Sequence, residues 1–279
     1  GYSSIYKFMV MVDVTQGNLF GTGQYIKLRG QLGGSSSYYE LSYRDPWFID
    51  KPISFTADIY STTREYVDYN KEATGLGFSF GKSFTEYWGG SVSYKLEKAT
   101  IYDIAEDADD MIKEQEGTSV TSSITPAIVR DARDNHLDPS RGSRNSAYVT
   151  FAGLGGDNKF IKSVFDSAWF FPVGKTSTTI ALRGRIGFAT GLFGEELPVY
   201  ERFYLGGINT IRGLGFGQAG PRDEDGTVMG GTKELIFNFE YIFPIVKELK
   251  LKGVVFFDAG NSYNDDESIG ELRYTAGLG

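Results

Sequence analysis

The sequence predicts an all-β fold, an antiparallel up-and-down β-barrel that crosses a membrane. Three observations predict it. Apolar and polar residues alternate with a period of two along most of the 279 residues, many alternating segments reach about ten residues, and short and long connections alternate between them. A tilted bilayer-spanning strand needs about nine to eleven residues, whereas soluble strands usually stop at about five or six. Short turns at one end and longer loops at the other are the pattern of outer-membrane barrels. A soluble sandwich or propeller would also give period-two strands, and strand length weighs against it.

The elements follow in order as about thirteen strands. The first two cover roughly 5–16 and 24–33 around the glycine-rich turn 17–23, with Ile26, Leu28, Gly30 and Leu32 on one face and Tyr25, Lys27, Arg29 and Gln31 on the other. Strands 38–45 and 53–64 flank a turn bracketed by Pro46 and Pro52. Strands 72–81 and 88–103 flank 83–86, and in the second of these Val92, Tyr94 and Leu96 oppose Ser91, Ser93, Lys95 and Glu97. After a long connection, 104–116, come strands 117–131, 143–154, 159–171 and 176–190. The last of these sets Ile180, Leu182, Ile186 and Phe188 against Arg183 and Arg185, after the short turn 172–175. The longest connection, 191–232, precedes strands 233–243 and 249–259, joined by a turn at 244–248, and a final strand 271–279 follows the loop 260–270. Tyr43, Trp47, Phe48, Tyr87, Trp88, Trp169, Phe170 and Phe171 gather at strand ends, as in the aromatic girdles of membrane barrels. The whole of 1–279 therefore reads as one barrel domain.

Composition narrows the function. No run of about 18 apolar residues occurs, which excludes a transmembrane helix. With 36 glycines, 18 tyrosines and 21 phenylalanines the chain suits aromatic strands and tight turns and not a helical bundle. The absence of cysteine rules out disulfides, zinc–thiolate sites and thiol catalysis. A net charge of -8 argues against a nucleic-acid partner, which needs a basic face. Gly1–Ser4 has neither a basic start nor an apolar core, so no signal peptide is read, and both ends look cut within the strand pattern.

The most informative stretch lies in the long connection. From Phe203 to Pro221 the only charge is Arg212, set among Gly206, Gly207, Gly213, Gly215, Gly217 and Gly220. Downstream, Glu240 and Asp258 each interrupt an aromatic strand pattern, where an unpaired charge is costly. Parity puts Glu240 on the face of Asn238, and Asp258 on that of Lys250 and Lys252, so both carboxylates point into the lumen. The planar fork of Arg212 can satisfy both, which folds the loop 191–232 back into the barrel. From the residues alone, separate solvation of each charge in a wet lumen stands beside this reading.

Other motifs carry less. Gly215–Gly220 spells a dinucleotide fingerprint, but Pro221 and an acidic run follow it and no helix does. Gly77–Gly81 spells a hydrolase elbow around Ser79 within an alternating strand, and the single histidine, His136, lies in a turn many strands away. The acidic stretch from Asp103 to Glu116 reads as a solvated external loop with a short helix near Met111, ahead of a calcium or divalent-bridged lipopolysaccharide site. No metal, cofactor or catalytic residue is expected.

At Ile211–Leu214, preceded by Gly206–Gly207 and followed by Gly220–Pro221, the sequence resembles the BamA-like family of outer-membrane barrel assembly factors, part of the bacterial surface antigen superfamily. Tyr200–Glu201, Phe203–Tyr204, Phe257–Asn261, and Arg130–Asn135 with Pro139–Gly142 support the resemblance, the last as the family's periplasmic turn. Leu214 stands where the family has phenylalanine, and Phe216 is positioned to supply the missing ring. The resemblance implies a sixteen-strand barrel of which thirteen to fourteen strands fall within this chain. It also implies bacterial outer-membrane localisation, no enzymatic chemistry, and folding and insertion of β-barrel clients at a lateral seam, with Ile211, Arg212, Gly213, Leu214, Glu240 and Asp258 as loop motif and clamp. Implied partners are unfolded outer-membrane clients, outer-membrane lipids and lipopolysaccharide, and assembly lipoproteins held by periplasmic repeats upstream. A two-partner-type secretion pore of the same superfamily, or more remotely a porin, is the alternative.

Overall fold

The computed structural model describes residues 2–3, 7–174, 177–223, 226–246 and 248–279. They form fourteen strands: β1 (Tyr2–Ser3), β2 (Lys7–Leu19), β3 (Gln24–Gly33), β4 (Ser36–Asp45), β5 (Ser54–Glu65), β6 (Asn70–Ser83), β7 (Trp88–Tyr102), β8 (Gly117–Asp131), β9 (Gly142–Gly156), β10 (Phe160–Val173), β11 (Thr178–Gly191), β12 (Lys233–Val246), β13 (Leu251–Tyr263) and β14 (Arg273–Leu278). Each pairs only with its sequence neighbours, in the order β1 through β14. This is the up-and-down antiparallel sheet that the alternation predicts. Among the described residues no pairing joins β14 to β1, so the sheet is not closed.

Several strands run into the predicted turns: β2 continues through Gly17 to Leu19, with a register shift against β3, and β10 continues through Pro172 to Val173. Strand β12 runs past Pro244 to Val246, with a register shift between those residues against β13. Proline cannot donate to the ladder, so the pairing slips there instead of ending. Strand β13 likewise continues to Tyr263, which shortens the loop that follows. In the predicted acidic loop, helix α1 (Asp110–Lys113) is capped by Asp109, whose side chain accepts from the Met111 amide at 2.8 Å.

The register sorts the side chains onto two faces. On one, Val14 pairs with Leu28, Leu28 with Leu41 and Leu41 with Ile59. Farther round, Trp169 pairs with Leu182, Leu182 with Phe239 and Phe239 with Phe257. All eight are exposed, forming an apolar belt around the outside of the sheet. A soluble domain would bury such a belt, whereas a lipid-facing barrel wall displays it. Trp47, Tyr87, Trp88, Trp169 and Phe171 are exposed at strand ends or turns, but Phe170 has the opposite parity, pairs with Ala181 and faces inward. Phe48 is packed on the rings of Phe55 and Phe80.

The other face is polar. Arg29 Nε donates to Asp13 at 2.8 Å, and Glu97, buried, accepts from Tyr60 Oη at 2.6 Å, Lys71 Nζ at 3.0 Å and Lys95 Nζ at 2.7 Å. Against this face lies the segment between β11 and β12. It brings Leu197, Phe203, Leu205, Ile211 and Ala219 into one apolar cluster with Ala152, Phe160, Val164, Ala189 and Ile236 of β9 to β12. A second cluster joins Val199 to Tyr69, Ile101, Ala108 and Ile112.

Candidate functional site

The site is built where the loop between β11 and β12 meets four consecutive strands. Register places Arg183, Asn238, Asp258 and Thr275 in one row across β11, β12, β13 and β14. Each touches the loop backbone. Arg183 Nη1 donates to the Asn209 carbonyl at 2.9 Å, and Asn238 Nδ2 to the Thr210 carbonyl at 2.8 Å. Asp258 Oδ2 accepts from the Arg212 amide at 3.0 Å, and Thr275 Oγ1 donates to the Arg212 carbonyl at 2.7 Å.

The Arg212 side chain completes the arrangement. Its Nε and Nη2 donate to the two oxygens of Asp258 at 2.7 and 2.6 Å, and Nη1 donates to Glu240 Oε1 at 2.5 Å. The guanidinium carbon lies 3.9 Å from the ring centre of Phe256, which is the cross-strand partner of Glu240. Asp258 is fully buried, and besides the three Arg212 donors it accepts from Asn238 Nδ2 at 2.8 Å. A buried carboxylate needs this saturation. The hydrogen bonds to Asp258 raise the Arg212 pKa above its ordinary value, so the group is a fixed cation.

The remaining motif residues are placed around this clamp. Ile211 is fully buried in the loop–wall cluster, and Leu214 packs against the same cluster. Gly206 has φ +134°, and a side chain there would run into the Gly215 carbonyl. Gly213, at φ +86°, turns the chain directly beside Thr275. Gly207 and Gly217 also have positive φ, while Gly215 and Gly220 do not; the Gly215 amide donates to Gln218 Oε1 at 2.7 Å and Gly220 faces Ser262. Phe216 stacks on Tyr204 at 5.1 Å and lies under the Arg64 guanidinium at 4.9 Å, so an aromatic ring near the motif is supplied from this position.

The stem of the loop is tied to β6 and to the connections between other strands. Lys71 of β6 lies 3.7 Å from the Tyr200 ring centre, and Asn158 donates to Tyr200 Oη at 3.1 Å. Gln115 Oε1 accepts from the Val199 amide at 2.9 Å. Arg202 donates to Asn264 at 2.6 Å and to the Gly230 carbonyl at 3.0 Å, and burial holds its pKa below the usual guanidinium value.

Sequence reasoning named Arg212, Glu240 and Asp258, and the structure brings the three together. It missed Thr275, Phe256 and the anchoring roles of Asn238 and Arg183. The parity of Asn238 and Arg183 was readable, but cross-strand register was not. Gly215–Gly220 is an irregular loop with no helix after it, and Ser79 shares a hydrogen bond with Ser93 on β6 and β7 at 2.9 Å. His136 pairs with Asp131 at 3.2 Å in an exposed turn. Among the described residues no cluster of acidic side chains or histidine is arranged to hold a metal.

The model of the Omp85 superfamily domain matches residues 18–279. The chain belongs to the Omp85 superfamily. The outer membrane protein assembly factor BamA of Nitratidesulfovibrio vulgaris is 34% identical over 286 residues, covering 100% of this chain and 36% of the relative. The chain thus spans about a third of the length of that curated relative. The crystal structure of BamA from Haemophilus ducreyi lacking POTRA domains 1–3 superimposes with a TM-score of 0.88 at 20% identity, over 99% of this chain and 62% of that one. CdiB from Acinetobacter baumannii matches less well, with a TM-score of 0.60 at 16% identity, over 99% of this chain and 51% of that one. With its apolar belt and its bacterial relatives, this Omp85 chain is a β-barrel of the bacterial outer membrane.

Proposed function

We propose that this Omp85 barrel is the membrane part of an outer-membrane protein assembly factor, which folds β-barrel clients and inserts them into the bacterial outer membrane. The observation that carries the reading is the loop seated on four adjacent strands by the Arg183–Asn238–Asp258–Thr275 row, next to 34% identity with a BamA along the full chain. A porin would owe nothing to Arg212, whose side chain ties the loop to Asp258 and Glu240. In lipid an incoming strand finds no hydrogen-bond partner except an unpaired strand edge, so an opened barrel seam would be a template for client strands. The wall that must open or flex needs an internal brace, and the clamp of Arg212 with Glu240 and Asp258 supplies one. No step in this reaction makes or breaks a covalent bond, so the barrel acts without enzymatic catalysis. Periplasmic repeats preceding the barrel would receive clients and bind assembly lipoproteins, and the external loops would meet lipopolysaccharide.

The test is reconstitution of the full-length protein in liposomes with urea-denatured outer-membrane clients. Accelerated appearance of heat-modifiable, protease-protected client, across several unrelated clients, is the expected result. Acceleration of none, with passage of one dedicated unfolded partner into the vesicle, would replace this reading with a secretion pore.

A further inference from the structure

On the outer face, at the end carrying the short turns, a cation stands where lipid is expected. The outward parity of β8 runs through Pro126 and Ile128, both exposed, to Arg130, one residue before the strand ends. Trp88 and Asn145 are its cross-strand partners. Arg130 Nη1 donates to Ser143 Oγ at 3.0 Å, and among the described residues no carboxylate pairs with this guanidinium. Its remaining N–H groups are left to the surroundings. An arginine in the hydrocarbon would be costly, but near the interface most of that cost disappears and a phosphate turns it into a gain.

The neighbours extend the polar patch. Trp169 Nε1 donates to Ser167 Oγ at 2.9 Å, Ser167 Oγ to Asn145 Oδ1 at 2.6 Å, and Asn145 Nδ2 to Ser143 Oγ at 3.3 Å. This chain of hydrogen bonds fixes the patch from Trp169 to Arg130. Over it opens a cavity of about 760 Å3 lined by Trp88, Arg130, Arg141, Ser143, Asn145 and Trp169. Toward the middle of the membrane the exposed belt continues with Ile128, Val149 and Phe165.

We propose that this cavity binds the headgroup of an anionic glycerophospholipid in the leaflet next to the short turns. The phosphodiester would take the free donors of Arg130 with Arg141 at the rim, the two tryptophans would flank the glycerol region, and the acyl chains would lie on the belt. Charge complementarity and the aromatic flank favour a lipid over a soluble anion, because the cavity opens on the lipid-facing wall. The inference rests on the membrane orientation of the barrel and not on which activity the barrel performs.

The experiment is native mass spectrometry of the full-length protein in detergent, titrated with phosphatidylglycerol. Arg130→Gln should weaken the first lipid adduct by about tenfold or more, as loss of a charge-assisted hydrogen-bond pair implies. Arg141→Gln, in an exposed turn, should weaken it severalfold without touching the wall. Lys98→Gln, which removes an outward cation near the other end of β7, should leave it unchanged. Heat-modifiable migration establishes that each variant is folded. Unchanged binding in both arginine variants, an equal loss in Lys98→Gln, or displacement of the lipid by excess inorganic phosphate would overturn the site. Client assembly by these variants is a separate readout, so failure here leaves the assembly reading standing.

Discussion

Replacing Arg212 with methionine should lower the melting midpoint of the folded barrel by on the order of 10 °C. The side chain makes two hydrogen bonds to a fully buried Asp258 and one to Glu240, whose side chain is 30% exposed. Removing one partner of a buried ion pair costs about 3–5 kcal/mol, because the remaining charge keeps its desolvation penalty. For domains of roughly this size each kcal/mol moves the midpoint by about 2–4 °C. The same reasoning makes the loss reversible: in Arg212→Met with Asp258→Asn no buried charge is left alone, and most of the shift should return. Pairing Arg212→Met with Glu240→Gln should return much less, since Glu240 is partly solvated already. The assay is the temperature at which the compact band of the full-length protein disappears on denaturing gels, run as a double-mutant cycle. A melting midpoint within about 2 °C of wild type for Arg212→Met, or equal coupling to Glu240 and Asp258, would refute the reasoning.

Gly206→Ala forces a side chain into the Gly215 carbonyl at φ +134°, so the loop should loosen and limited proteolysis between β11 and β12 should speed up severalfold. Thr275→Val removes the donor to the Arg212 carbonyl while keeping shape, and should cost about 1 kcal/mol in the same thermal assay. In the turn between β8 and β9, the Ser140 hydroxyl and then the amides of Arg141, Ser140 and Asn135 hold the Asp134 pKa at about 2. Its folded pKa is depressed, so its contribution is fully present above the unfolded value of about 3.9 and is lost as pH falls toward about 2. Amide exchange at Ser140 and Arg141 should therefore become less protected across that window in wild type but not in Asp134→Asn.

The strands were legible because each carries its own period-two record, and lipid on one side with water on the other makes that record strong. Gly117–Asp131 and Gln24–Gly33 match the expected bounds to the residue. Pro244 misled because a proline was taken as a stop, when at this strand it only displaces the register. Phe170 misled because a run of three aromatics hides the alternation within it. At the site, a charge against an apolar background marked Arg212, Glu240 and Asp258, each visible locally. Thr275 and Phe256 are ordinary strand residues whose importance comes only from standing opposite Asp258 and Glu240, and that depends on turns and bulges distributed over the chain.

The clamp also answers a question about register within the loop. Asp258 is fully buried because the loop backbone covers it, with the Arg212 amide itself as one of the donors. Docking the loop therefore desolvates a carboxylate, and only a docking that delivers Arg212 to that point compensates it. A loop seated one residue out of place would bury Asp258 against glycine or isoleucine, at the cost of an unpaired buried charge. The flanking glycines make the loop pliable enough to adopt many seatings, which is what a brace must avoid. The ion pair thus selects one seating from many and adds less to total stability than its short distances suggest. Thr275, bonded to the carbonyl of the same Arg212, carries that choice to β14. A change in the position of β14 reaches the clamp through this bond and through the β13–β14 ladder, where Thr275 stands opposite Asp258 and Gly277 opposite Phe256.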